Sequence, residues 1–596
     1  MEFKTIHEMY RHLAETRADL PSYYVKRAAG WERVTWRLFG QKIKDFAIGL
    51  MALGMDHRDP VSILGLTREE WDVADKATMS AGGIAVGVYH SNTPVQVHHV
   101  VHHSESRFLI VENKEQWEKV RQIRADLPLV KRFILMDPQG VHEADVLTFS
   151  GVLDLGKAER KNYEAEYEKR FDAIRPDDTA IIFYTSGTTG PPKGAMLTHS
   201  NVLAACKCMD GIDIFSPQDV SVIWLPMPHI YGRIAMIAGS YTGIAGYYAQ
   251  RLDKIVENIQ EIHPTIFYSV PRIFEKVYTR VMGQAMEAPL PKKKIFQWAV
   301  KVGMERSRCL QAKRSIPLIT AMKYRAADSL VFKKIRQVFG GRIKIILSGG
   351  APISKEILEF FHAAGILPLE LYGITETLLC SINRPHKYRF GSVGPAGPGV
   401  QLRIAEDGEI MVKSDMVFKG YLKDPEKTQE VLAEDGWYAT GDIGTLDKEG
   451  ILTITDRKKD LLITAGGKNV APQNIENLMK TSPYISQFMA YGDRKAFLTG
   501  LVTLDADEVS KWAKGQGIDE PDFRKVCAHP KVRELIKGVV EEKNKELARY
   551  EQIKDFRIVP EEFTQEAGTL TATLKVKRRE VVKKYSELIE EMYKEP

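Results

Sequence analysis

Residues 184–199 read YTSGTTGPPKGAMLTH. Glycine, hydroxyl side chains and one forward lysine crowd this stretch. Glycines let backbone amides turn toward a ligand. The hydroxyls add donors, and Lys193 adds a positive point charge; together they suit a polyphosphate. The pattern is not the Walker loop G-x-x-x-x-G-K-[ST]. Five positions after Gly187 stands Pro192, while Lys193 follows Gly190 too closely and is itself followed by Gly194. The apolar run Ala180–Tyr184 supplies the strand entering the loop, and Ser200 reads as the N-cap of a helix beginning near Asn201. A Gly/Pro turn with a surface lysine would explain a lone GTTG equally well. It does not explain the whole string TSGTTGPPKG, because a turn needs neither so many hydroxyls nor so many glycines.

Outward from this loop, strand-like runs alternate with helical patterns. They include Val61–Leu64, Phe108–Val111, Val220–Leu225, Thr265–Tyr268 and Ile343–Leu347. Several are followed by Gly, Pro or Ser/Thr loops, which argues an α/β fold with ligands at the strand ends. Residues 400–455 differ: short alternating strands turn at Glu406–Asp407–Gly408 and Asp447–Lys448–Glu449–Gly450, as in a small antiparallel barrel or sheet. The charged segment DRKKD follows at 456–460. The expected architecture is a large N-terminal domain over 1–456, made of stacked α/β subdomains plus a small β-barrel. A small α+β C-terminal domain follows over 457–596.

The composition, 44% hydrophobic and 27% charged, excludes disordered and fibrous classes. The opening MEFKTIHEMYRHLAETRADL has no apolar core, so no secretory signal is expected. The weakly polar run MIAGSYTGIAGYYA is too short to span a bilayer. Five cysteines lack zinc or redox spacing and read as reduced thiols in a cytoplasmic protein. Scattered basic residues give no nucleic-acid signature.

YTSGTTGPPKG resembles the signature loop of the AMP-forming adenylating enzymes: acyl-CoA synthetases, luciferases and peptide-synthetase adenylation domains. The resemblance runs nearly end to end. It implies that Thr185, Ser186, Gly187, Thr188, Thr189, Gly190 and Lys193 hold the β- and γ-phosphates of ATP. LYGITET at 371–377 resembles the family's adenine-and-magnesium segment. There Tyr372 offers an aromatic face to a purine, Thr375 a hydroxyl to the α-phosphate, and Glu376 a hard oxygen to Mg²⁺. Glu370, Leu371 and Gly373 belong to the same nucleotide-binding segment. SGGAP at 348–352 places Gly350, Ala351 and Pro352 where a flat base can lie against backbone. YATGD at 438–442 ends in Asp442, whose carboxylate suits two ribose hydroxyls, and Arg457 reaches the same ribose. Taken alone, each motif is as well read as a glycine turn or a solvated charge. The family's order and spacing bind them together.

TLTATLKVKRRE at 569–580 resembles the motif carrying the family's catalytic lysine. Alignment on its threonines gives Lys575; Lys577, two residues on, shares its strand face. Ala572 stands where the family usually has proline. Lys459 matches the hinge position. Gly466, Gly467 and Lys468 match the loop that reaches the coenzyme A tunnel.

Segments 87–106, 269–278, 348–365 and 463–487 resemble long-chain fatty acyl-CoA synthetases. In WLPMPHIYGR at 224–233, His229 takes a positioning role in the acyl pocket. Gly232 replaces a glutamate found in many relatives. Arg233 falls where some bacterial relatives carry an aromatic tunnel gate. The implied reaction ligates a fatty acid to coenzyme A through acyl-AMP, with ATP and CoA as substrates and Mg²⁺ as cofactor. The same fold also serves fatty acyl-AMP ligases and aryl-CoA ligases. A non-catalytic lipid-binding scaffold is disfavoured by the presence together of Glu376, Asp442, Arg457 and Lys575. The basic stretch 291–315 mixes Phe296, Trp298, Val300 and Val302 with cations. It reads equally as a peripheral membrane contact or as a solvated helix packed by its apolar side. A homodimer is compatible with the sequence.

Overall fold

The computed structural model describes residues 2–185, 191–465, 468–564, 567–570 and 576–594. Ser186, Gly187, Thr188, Thr189, Gly190, Gly466, Gly467 and Lys575 therefore lie outside the described residues. Phe108–Val111 is a strand of four apolar residues, all buried. Such a run fits only a strand covered on both faces. It pairs in parallel with Pro60–Leu64 on one side and Arg132–Leu135 on the other. These strands belong to an eight-stranded sheet whose parallel set continues through Ile84–Val88 to Thr179–Thr185. There the chain reverses: Lys193–Thr198 returns antiparallel, with Thr185 opposite Lys193. Thr179–Thr185 and Lys193–Thr198 thus form the two arms of a hairpin at one side of the sheet.

Two four-stranded sheets complete the α/β layers. One joins Val220–Ile223, Ala245–Tyr248, Pro21–Arg27 and Gly30–Thr35; the other joins Ile266–Ser269, Ile345–Ser348, Leu367–Tyr372 and Ser381–Ile382. One apolar core runs through these layers from Ile6 to Tyr438. A separate core spans Leu462–Phe556, around the three-stranded sheet Ile485–Tyr491, Leu498–Leu504 and Ile553–Val559.

Three local expectations are corrected. Thr198, not Ser200, caps the helix His199–Asp210: its Oγ1 accepts from Asn201 N at 3.1 Å while Asn201 Oδ1 accepts from Thr198 N at 2.9 Å. This reciprocal box satisfies two donors at once, which Ser200 inside the first turn cannot do. The strand expected over Val220–Leu225 ends at Ile223, since the Trp224 indole donates to the Tyr268 carbonyl at 2.8 Å. The small barrel is a five-stranded antiparallel sheet. Its strands follow the order Gly394–Pro395, Ile451–Arg457, Tyr438–Leu446, Glu409–Lys413, Gln401–Ile404.

The core also holds charge. In the helix Glu69–Ser80, Lys76 Nζ lies 2.7 Å from both Asp72 and Asp75. Arg233 pairs with Asp75, and both side chains are fully buried. The guanidinium rests over Trp71 and Phe183, 5.1 and 5.3 Å from the ring centres. The Tyr248 hydroxyl donates to Asp72 at 2.7 Å. Two cations face two carboxylates, so the network is neutral as a whole but not in its parts. Removing one partner leaves a buried charge, at a cost of about 3–5 kcal/mol, whereas removing a matched pair is often neutral. Asp75→Ala should therefore lower unfolding free energy by about that amount in urea titrations. Asp75→Leu combined with Arg233→Leu should recover most of the loss. Equal losses in both would mean that packing volume, not charge matching, is what the network provides.

Candidate active site

The stem of the phosphate loop is built from both sides. Lys193 Nζ stands 5.0 Å from the ring centre of Tyr421. Tyr421 lies on the short strand Gly420–Tyr421, opposite Ala195. Its hydroxyl donates to Glu376 Oε1 at 2.7 Å. Burial holds the Glu376 carboxyl above its ordinary range, against the lowering effects of Tyr421 and Arg457. A buried carboxylate with so few donors can bind a hard cation. Among the described residues it has no cluster of three ligating side chains around it, so such a cation would complete its shell from phosphate oxygens and water.

The second half of the site is centred on Asp442. The Tyr372 hydroxyl donates to Asp442 Oδ2 at 2.6 Å, and Arg457 Nε stands 3.3 Å from Oδ1. Strand register places Asp442 directly opposite Arg457. Both Tyr372 and Asp442 are buried. Asp442 and Arg457 both act on Glu376, so the expected ribose and cation groups share one electrostatic environment. Thr375, half-buried, precedes Glu376 in the turn that ends Leu367–Tyr372. Gly373 has no alternative there: a Cβ would sit 1.7 Å from the Leu378 carbonyl oxygen. Gly350 follows Ile345–Ser348 with φ +85°, a conformation glycine adopts without strain. Leu371, Ala351 and Pro352 lie on the same two strand ends, half-buried except for the exposed Pro352.

Arg233 is the fully buried partner of Asp75. His229 caps the helix Ile230–Thr242, its Nδ1 accepting from Tyr231 N at 3.1 Å. Gly232 has a steric cause: a Cβ would approach the Pro226 carbonyl oxygen to 2.5 Å, so a glutamate cannot occupy this backbone.

Lys459 is exposed in a turn after Ile451–Arg457. Its neighbour Lys458 is clamped by Asp407 at 2.6 Å and Glu409 at 2.8 Å. Lys468 leaves the hairpin Leu462–Ile463/Asn469–Val470 exposed, with its backbone exchanged against Thr464. Lys577 caps the helix Arg578–Lys584, its amide donating to Thr569 O at 2.8 Å.

Two contributors escape the motifs. Tyr421 sits in no chemistry-bearing pattern. His99 and His103, from the helix Pro94–His103, flank the loop stem: His99 Nε2 lies 2.8 Å from the Pro192 carbonyl, and His103 Nδ1 lies 2.8 Å from the Tyr184 hydroxyl. Their i, i+4 spacing in HHVVHH was the available signal, since it puts both rings on one helix face.

These features define a nucleotide-handling α/β enzyme with a second small unit. The chain belongs to the AMP-binding enzyme family: residues 10–422 match that family, and 459–596 match the AMP-binding enzyme C-terminal domain. It is 33% identical over 594 residues to the long-chain-fatty-acid–CoA ligase FadD15 of Mycobacterium tuberculosis, covering 97% of this chain and 96% of that protein. It is 30% identical to the peroxisomal long chain acyl-CoA synthetase 7 of Arabidopsis thaliana, covering 100% and 87%. Among solved structures, the anthranilate CoA ligase AuaEII in complex with anthranoyl-AMP shares the fold. Its TM-score is 0.75 at 18% identity, covering 99% of each chain.

Glu370 offers a pH test of the site's dryness. Its carboxyl, accepting from Gly391 N at 3.3 Å, is pushed by burial from 4.5 to about 8. A raised folded-state pKa means the contribution of the protonated form is fully present below pH 4.5 and lost as pH rises through about 8. The stability of the wild type relative to Glu370→Gln should fall across that window, with a slope approaching about 1.4 kcal/mol per pH unit. Parallel stability curves would show that Glu370 is solvated or ionised in the folded protein.

Proposed function

We propose that this protein ligates a fatty acid, of long or medium chain, to coenzyme A through an acyl-AMP intermediate. The convergence of the loop stem, Glu376 and the Tyr372–Asp442–Arg457 group carries the reading. The fatty-acid ligases aligned along nearly the whole chain support the substrate class.

In the first half-reaction a carboxylate oxygen attacks the α-phosphorus of ATP. The bond from that phosphorus to the bridging oxygen breaks, and pyrophosphate leaves. The attacking group is already ionised at neutral pH, so no side-chain base is needed. The barrier is electrostatic: an anion approaches a polyanion, and charge grows on the leaving group. Preorganised positive potential lowers it. Lys193, the loop from Thr185 onward and Lys575 are the chain's own sources. Asp442 and Arg457 orient the ribose, Tyr372 fixes Asp442, and Tyr421 fixes Glu376. Mg²⁺, when bound at Glu376, would supply further positive charge to the phosphates. In the second half the CoA thiolate attacks the acyl carbon and AMP departs. We assign Gly466–Lys468 to the pantetheine path and Lys459 to the rotation that exchanges the two states.

The direct test is release of AMP and pyrophosphate with a panel of acids, with and without CoA. Long-chain acids should support AMP release only when CoA is present to clear the intermediate. Turnover of aryl acids alone, or full AMP release without CoA, would overturn the substrate or the acceptor. Asp442→Ala should raise the KM for ATP by roughly 10–100-fold, since a charge-assisted hydrogen bond contributes about 1.5–3 kcal/mol.

Lys459→Pro separates the half-reactions. Proline fixes φ near −65° and restricts the residue before it. Acyl-hydroxamate formation without CoA should persist while acyl-CoA formation stops. If both persist, no rotation at Lys459 is required.

A further inference from the structure

The segment that follows the helix Pro271–Glu287 and runs into the first turn of Lys333–Val338 is unlike the rest of the surface. Residues 290–334 carry twelve lysines and arginines against two carboxylates. That is a net +10 in a chain whose total is +6, so the remainder of the molecule is net negative. One of the two carboxylates, Asp328, is already paired with Arg336. Ten of the twelve cations are exposed, and among the described residues none of these ten forms an ion pair.

The same segment exposes hydrocarbon. Half of the sixteen large exposed apolar side chains among the described residues fall between Met286 and Leu330. Leu290, Leu318, Ile319 and Met322 are 74%, 76%, 67% and 61% exposed. This is not a core face left uncovered. The helix Leu290–Gln311 buries Ala299, Val302, Gly303 and Ser307. A Cβ on Gly303 would meet Phe332 and Ala363, and Ser307 Oγ lies 2.8 Å from His362 Nδ1. The opposite stripe presents Lys294, Trp298, Lys301 and Arg308, at helical spacing i, i+4, i+7 and i+14. Arg306, 4.4 Å from the Tyr324 ring centre, ties the next helix, Leu318–Ala327, alongside.

We propose that this helical hairpin docks on an anionic lipid bilayer. Unpaired cations seek anionic headgroups, and Leu318, Ile319, Met322 and Trp298 enter the interface beside them. Aliphatic side chains at such exposure favour hydrocarbon over nucleic acid, which would call for planar stacking groups. Among the described residues no helix is long and apolar enough to cross a membrane, so the hairpin lies on the surface. The functional consequence rests on the fatty-acid reading above: the acid substrate concentrates in the bilayer the enzyme would touch. The docking itself does not depend on that reading.

The test is flotation of the full chain with vesicles of phosphatidylcholine alone, or mixed with phosphatidylglycerol. Binding should require the anionic lipid and weaken as salt rises. Lys292→Glu, Lys294→Glu and Lys301→Glu together should weaken it about 100-fold or more, each charge acting within a Debye length of the surface. Leu318→Ser with Ile319→Ser should also weaken binding, but leave its salt dependence. Reversing Lys161, Lys448 and Lys514 instead, all exposed and outside the hairpin, should change binding little. Each variant is checked for acyl-hydroxamate formation on a water-soluble acid, which should match the wild type and so certify the fold. The proposal is overturned by equal binding to neutral vesicles or by no vesicle binding at all. It is equally overturned if the control reversal has the same effect, or if an acidic protein or nucleic acid binds the hairpin while vesicles do not. Vesicle binding by a wild type that ligates no fatty acid would instead count against the fatty-acid reading alone.

Discussion

The Asp442 carboxylate accepts from the Tyr372 hydroxyl at 2.6 Å and faces the Arg457 guanidinium at 3.3 Å. These few atoms join three parts of the chain. Tyr372 ends the strand Leu367–Tyr372 of the second four-stranded sheet. Asp442 lies in the five-stranded antiparallel sheet. Arg457 is the last residue of the strand after which the chain passes to the separate core beginning at Leu462. A buried carboxylate is costly unless its lone pairs are filled. Filling them with groups from two sheets fixes the angle between those sheets. The turn Gly373–Glu376 then hangs from this junction, which is why Glu376 arrives beside Tyr421 and the loop stem. The dependence is steric as well as electrostatic, since only glycine fits at 373.

How much of this was legible in the sequence follows from the range of each interaction. Phe108–Val111 was readable to the residue because a four-residue apolar run has one environment in a parallel sheet. The strand entering the loop stem was legible as the apolar run Ala180–Tyr184, but the returning strand Lys193–Thr198 was not. The N-cap was misplaced by two residues because Thr198 and Ser200 are equally good caps locally; Asn201 decides between them only once its side chain is seen to reach back. The five-stranded sheet was visible from its turns, but its open strand order was not, since turns report reversals and not closure. Tyr421 was invisible: its partners Glu376 and Lys193 are distant in sequence, and a tyrosine in KGYL carries no pattern.

The partner of Arg233 was not legible. Family resemblance puts this residue with the acyl-pocket segment, and a charge in an apolar stretch is expensive. The structure resolves the expense differently, by bringing Asp75 from another helix and placing the guanidinium against Trp71 and Phe183. Gly232 and Arg233 are then parts of one solution. The helix Ile230–Thr242 approaches the Leu225–Pro226 carbonyls so closely that position 232 must lack a side chain, and position 233 points into the neutral charge network. The same helix carries His229 at its cap. Charge here holds in place the helix that His229 caps.

The junction between the two cores obeys a different economy. Polar contacts cross it: Arg272 donates to Ser486 O and Oγ at 3.0 Å, Lys480 meets Glu275 at 3.0 Å, and Lys543 approaches Glu356 at 3.7 Å. The Lys543–Glu356 pair, whose carboxylate is exposed, contributes about 0–1 kcal/mol, because water replaces it at little cost, whereas Lys480–Glu275 is largely buried. An apolar seam of the same extent would resist separation far more strongly. The connection is not uniformly loose, however. Lys458 is held by Asp407 and Glu409 and hydrogen-bonds through its amide to Gly441, while Lys459 stands exposed one residue later. A rotation about Lys459 would leave Lys458 anchored with the ribose-facing residues, and Asp442 and Arg457 undisturbed. The proposed exchange of states breaks these polar contacts, and it keeps the nucleotide group intact while the second core moves.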